Sequence, residues 1–132
     1  MTKVVPRLFL SLSALVLAAG GIMHARAFAK TVAAIAASDL EPFYGGSLKA
    51  LWLIDSATLL TLALVFATVA ARPGLVSRPV ILLLAIIPAA TAAFLYKFIG
   101  NFLPAHMLLG AAVAAGMAGL AWSTRSSANS DP

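Results

Sequence analysis

Four long apolar stretches, each set off by short polar punctuation, make up almost the whole chain. They run from about residue 8 to 28, 47 to 71, 79 to 99 and 104 to 122. Each is close to the ~20 residues that a helix needs to cross the hydrocarbon core of a bilayer. The breaks are rich in helix-stopping residues: Pro42 with Gly45 and Gly46, then Arg72-Pro73-Gly74 and Arg78-Pro79, then Gly100-Asn101-Phe102-Leu103 ahead of Pro104. Ser47 is expected to cap the second helix with its hydroxyl. Pro88, in mid-stretch, deprives the carbonyl of Leu84 of its donor and predicts a kink in the third. The pattern therefore predicts an all-α integral membrane protein, an antiparallel up-and-down bundle of four transmembrane helices within residues 1–122. The polar tail, 123–132, is expected to be disordered.

Composition sharpens this picture. Hydrophobic residues make up 62% and charged residues 10%, against roughly 45–50% and about 25% in soluble domains. Four spans account for most of the length, so no soluble domain is expected within it. A net charge of +5 would point to nucleic acid in a soluble protein. Here the basic residues flank the apolar stretches, where they meet anionic headgroups. No basic stripe with interleaved aromatics is present, and nucleic acid is not an expected partner. With no cysteine in the sequence, disulfides, thiol catalysis and thiolate metal sites drop out together.

The Lys/Arg bias sets the expected orientation. Lys3, Arg7, Arg72, Arg78 and Arg125 share one side; Arg26, Lys30, Lys49 and Lys97 share the other, offset there by Asp39 and Glu41. The undiluted basic link at Arg72 and Arg78 places the termini in the cytoplasm. The first stretch also imitates a secretory signal peptide, with Lys3 and Arg7 ahead of an apolar run and Ala25-Arg26-Ala27 as a cleavage site. Cleavage would leave three unpaired spans, so the uncleaved reading is preferred; with cleavage, His24 and Arg26 would both be lost.

The string Phe43-Tyr44-Gly45-Gly46 leading into the second stretch, the Ala71-Arg72-Pro73-Gly74 link and the Pro104-x-His106 opening of the fourth resemble small four-span bacterial inner-membrane proteins of the DoxX type. That resemblance spans most of the length. It implies a helical bundle in a bacterial inner (plasma) membrane and carries over no catalytic residue.

Candidate chemistry gathers at one end of the stretches. His24 and Arg26 close the first, Asp55 lies inside the second, Lys97 is near the end of the third and His106 opens the fourth. In an up-and-down bundle all five fall in one leaflet, where ionisable groups need partners or a task. Asp55 is on the order of 12 Å into its helix, with Trp52 and Thr58 one turn to either side on the same face. It is either a proton or cation site, or a structural carboxylate paired with Arg26, Lys97 or His24. His24 and His106 have glycines one turn away, Gly20 and Gly110. Two histidines so placed suit haem b or a divalent metal completed by Asp55, or by Asp39 and Glu41 from the loop, as well as plain interfacial hydrogen bonding. Arg26, Lys30, Lys49 and Lys97 read as snorkelling anchors beside Trp52, Tyr44 and Tyr96.

Small residues mark the packing faces. Gly110, Gly116 and Gly119 in the fourth stretch, and Gly20 and Gly21 in the first, allow close backbone approach. They serve contacts inside the bundle, or a face for a second copy or a membrane-protein partner through span four. The phosphate loop, nucleophile elbow, His-Glu-x-x-His and glycine-rich nucleotide fingerprint are all missing from the sequence. A non-enzymatic accessory or assembly subunit is therefore the expected function. The alternative is a small carrier or a haem- or metal-binding redox subunit using His24, Asp55 and His106.

Overall fold

The computed structural model describes residues 4–122, which form four α-helices and no strand: α1 (Val4–Ala36), α2 (Pro42–Ala71), α3 (Arg78–Phe98) and α4 (Leu103–Ala121). All four are long and apolar enough to cross a membrane. Large apolar side chains cover the outside, with Leu15 70%, Leu64 68% and Leu83 63% exposed. The expected tail lies outside the described residues.

Two boundaries depart from the sequence pattern. The segment after Phe28 continues α1 to Ala36 instead of forming a connection, because its alanine-rich run favours helix. The second helix starts at Pro42, with Glu41 as N-cap and proline in the first turn. Ser47 is consequently no cap: it lies inside α2 and its Oγ donates to the Phe43 carbonyl at 2.8 Å. α1 and α2 have 33 and 30 residues, and α3 and α4 have 21 and 19. From His24 to its end, α1 continues for on the order of 18 Å at helical rise. The α3–α4 turn is tight. Gly100 has φ +98°, which a residue without a Cβ adopts cheaply, and its N–H reaches back to the Leu95 carbonyl at 3.0 Å.

In space the helices lie in the order α2–α1–α4–α3: α1 packs on α2 and α4, α4 packs on α3, and α2 scarcely touches α3. Buried positions recur at helical spacing, as Leu10, Ser13, Ala14, Leu17 and Gly21 in α1 and Leu59, Leu62, Ala63, Phe66, Val69 and Ala70 in α2. The α1–α2 contacts pair early residues of one with late residues of the other. Arg7 Nε donates to the Ala70 carbonyl at 2.7 Å, satisfying one of the last carbonyls of α2, while Gly45 faces Ile35. Ser13 Oγ, fully buried, donates to the Ala111 carbonyl at 2.9 Å and ties α1 to α4.

Close approach is confined to two of the five expected glycines. A Cβ on Gly21 would stand 2.9 Å from Leu60 Cγ and 3.2 Å from Leu59 Cβ, and one on Gly119 would stand 2.6 Å from Leu82 Cδ2. At Gly20, Gly110 and Gly116 it would meet nothing within 4 Å. Helical phase is the reason. The small residues of α4 that face inward are Ala105, Ala111, Ala112, Ala114, Ala115, Ala118 and Gly119, and the exposed Gly110 and half-buried Gly116 fall outside that set. Pro88 is buried within a continuous α3.

Candidate functional site

The polar centre of the molecule is built by α1 and α2 where Trp52 and His24 pack together. Their rings stack with centroids 4.0 Å apart and planes 11° from parallel, and the indole Nε1–H donates to the His24 backbone carbonyl at 2.7 Å. Trp52 thus sets both the ring and the backbone of His24. One turn on in α2, the buried Ser56 completes the frame, its Oγ 2.9 Å from His24 Nδ1 and 3.0 Å from the Trp52 carbonyl. With the hydroxyl proton directed at that carbonyl, the oxygen is left to accept, so Nδ1 is the ring nitrogen that carries hydrogen. The other ring nitrogen, Nε2, meets Asp55 Oδ2 at 3.6 Å. The two form an ion pair only when the imidazole is protonated. The side chains are 27% and 37% exposed, so the pair sits at the wall of a space and not in the packed core.

That space is a partly enclosed cavity of about 330 Å³ lying where α2 and α3 fail to meet. His24, Trp52 and Asp55 line it together with Val16, Gly20 and Met23 of α1, Leu59 of α2, Leu95 of α3, and Pro104, Met107 and Leu108 of α4. Apart from the three polar side chains the lining is apolar, an arrangement typical of sites for small organic molecules. The polar inventory is nearly used up. Trp52 Nε1 is bound to the His24 carbonyl and His24 Nδ1 to Ser56, while His24 Nε2 faces Asp55 Oδ2 at 3.6 Å, beyond hydrogen-bond length. Asp55 Oδ1 has no partner among the described residues.

The other expected members of the cluster lie apart from this pair. His106 is exposed; its Nδ1 is 2.9 Å from the Phe102 carbonyl in its own first turn, and its ring stands edge-on to Tyr96 with centroids 5.5 Å apart. Lys97 is exposed with Nζ 5.3 Å above the Phe98 ring, and Arg26 is exposed. Of the five, therefore, the structure joins only His24 and Asp55. No three of His, Cys, Asp or Glu gather to hold a metal ion among the described residues. Sequence reasoning passed over Ser56. The available signal was a hydroxyl one turn from Trp52 and next to Asp55 in a largely apolar helix, where a polar atom seeks a partner.

A second, open groove of about 780 Å³ runs along the outside of α1 and α2 at the Val4 and Ala71 end. Its floor is small, with Ser11, Ala14 and Ala18 facing Ala63, Ala67 and Ala70. No protein family, curated protein or solved structure matches this chain.

Proposed function

We propose that the protein is a four-span, antiparallel membrane protein of the bacterial inner membrane, with cytoplasmic termini, acting as a non-enzymatic accessory or assembly subunit. The observation that carries this reading is the alanine-floored groove on α1 and α2. In lipid, helices associate through close van der Waals packing over small residues, since no hydrophobic drive separates a helix from the acyl chains. A floor of alanines and Ser11 with leucine walls suits a partner's transmembrane helix. Gly110 and Gly116 on the outer side of α4, where a Cβ meets nothing, add a second face of the same kind. The resemblance to small DoxX-type proteins agrees with this placement.

The experiment replaces Ala67, in the groove, and Leu83, exposed on α3, by a photo-crosslinking residue in native membranes. A discrete protein adduct from position 67, lost when Ala63→Phe fills the groove floor, and lipid adducts alone from position 83 are the expected results. Lipid adducts alone from both positions would overturn the reading. Topology is tested separately: reporters after Arg72 and Arg125 should read cytoplasm and one after Asp39 the far side. An exported reporter at Arg72 would reverse the orientation. The alternative of a small carrier is favoured by one observation, the His24–Asp55 pair at the wall of the cavity, and it would require Asp55 for transport.

A further inference from the structure

The cavity beside Asp55 has a chemistry specific enough to name what fits it. About 330 Å³ is at the lower end of the range for small-molecule sites, and the lining is formed by Met23, Met107, Leu59, Leu95 and similar side chains around a single carboxylate corner. An occupant must therefore present mostly apolar surface. Its one polar contact is dictated by the hydrogen bonds already made. The indole N–H and His24 Nδ1 are engaged within the protein, His24 Nε2 stands 3.6 Å from Asp55 Oδ2, and the carboxylate of Asp55, which lines the space, offers an acceptor. A ligand that brought only a carbonyl or ether oxygen would set acceptor against acceptor. One that brought a hydroxyl would complete the chain Ser56–His24–Asp55. Charge narrows the choice further. A cationic ligand would give up its hydration for a single carboxylate in a lining that is otherwise apolar.

We propose that this cavity binds a neutral, lipid-soluble molecule carrying a hydrogen-bond-donating hydroxyl, of the alcohol or phenol class, whose O–H is received by Asp55 while its apolar body lies among the methionines and leucines. The site shares with the accessory-subunit reading only the placement in a membrane, and recovery of the protein in lipid nanodiscs tests that placement by itself.

Gly20 provides the decisive variant. It lines the cavity, and a Cβ there meets nothing within 4 Å, so Gly20→Leu adds its bulk on the cavity side. Leucine is also the better helix former. The assay uses full-length protein in nanodiscs in a Trp122→Phe background, so that Trp52 is the only indole. The probes are a bromo-octylphenol and its methyl ether, the bromine quenching indole fluorescence on contact, together with a bromo-alkylammonium of similar length. Saturable quenching by the phenol, binding at least about tenfold weaker for the ether that lacks only the donor, and loss of the saturable component in Gly20→Leu at unchanged melting temperature are expected. Equal affinity for phenol and ether would mean a crevice filled by any apolar molecule, and would overturn the proposal. Tighter binding of the ammonium would overturn it in favour of a cation site. Saturable phenol binding that survives in folded Gly20→Leu would place the ligand elsewhere. Should Gly20→Leu fail to fold, the comparison of phenol with ether in the parent protein still decides the matter.

Discussion

Trp52 holds His24 at two points at once, by a parallel ring stack at 4.0 Å and by an indole N–H bond to the His24 carbonyl at 2.7 Å. A carbonyl in mid-helix is already the acceptor for the N–H four residues on, so the indole supplies a second donor to one oxygen. The two contacts lock the rotation of α1 relative to α2 and so decide which side of α1 presents an imidazole to Asp55.

Trp52→Phe keeps an aromatic ring for the stack and loses the N–H bond, for which about 1 kcal/mol is expected. Trp52→Ala loses both and should cost roughly two to three times as much. Unfolding followed by circular dichroism in mild detergent gives the comparison. Equal losses would show that the ring contact contributes nothing beyond the hydrogen bond.

Asp55→Asn keeps a hydrogen-bonding group against His24 Nε2, whereas Asp55→Leu leaves the imidazole facing hydrocarbon. In a structural role the leucine variant is the less stable by about 1 kcal/mol, a modest figure because the pair is part exposed. If transport depends on proton exchange at Asp55, both variants abolish it alike, since neither side chain titrates. Stability and transport measured on the same two proteins separate the roles.

The glycines make a sharper test, because the structure ranks them. Gly21→Leu and Gly119→Leu drive side chains into Leu59, Leu60 and Leu82 and are expected to cost about 1–3 kcal/mol by overpacking. Gly116→Leu enters open space and should be neutral or stabilising by up to about 1 kcal/mol in the isolated chain. Loss of a complex in native membranes by Gly116→Leu, with melting in detergent unchanged, would mark that face as a partner contact.

Ser13→Ala removes the only buried side-chain hydrogen bond between α1 and α4 among the described residues and leaves the Ala111 carbonyl its own helical donor. The expected loss is about 0.6 kcal/mol, in line with inter-helix hydrogen bonds in lipid, and Ser13→Val should cost more, because it adds bulk at a fully buried position. Paired melts of the two variants check the order.

The four helices were legible in the order of apolar runs and breakers, because proline, glycine and the length needed to span a bilayer act locally. The start of α2 was read five residues late, since Pro42 serves as a first-turn residue as readily as a stop. The sequence put His24 and Asp55 at one end of their apolar runs, whereas both lie well inside longer helices, His24 on the order of 18 Å before the end of α1 and Asp55 on the order of 20 Å into α2.

Which of those residues meet was decided by tertiary structure alone. In a chain apolar on every face, hydrophobicity does not tell inside from outside, so the rotation of each helix is invisible along the sequence. Phase set Gly21 and Gly119 against neighbouring side chains, put Gly20 at the cavity wall and left Gly110 and Gly116 in open space. It set His24 against Trp52, Asp55 and Ser56, and gave His106 to Tyr96. The order α2–α1–α4–α3 likewise rests on contacts between residues far apart in the chain. The cavity follows from that order: it occupies the gap between α2 and α3, two helices joined by a short link that packing nonetheless holds apart.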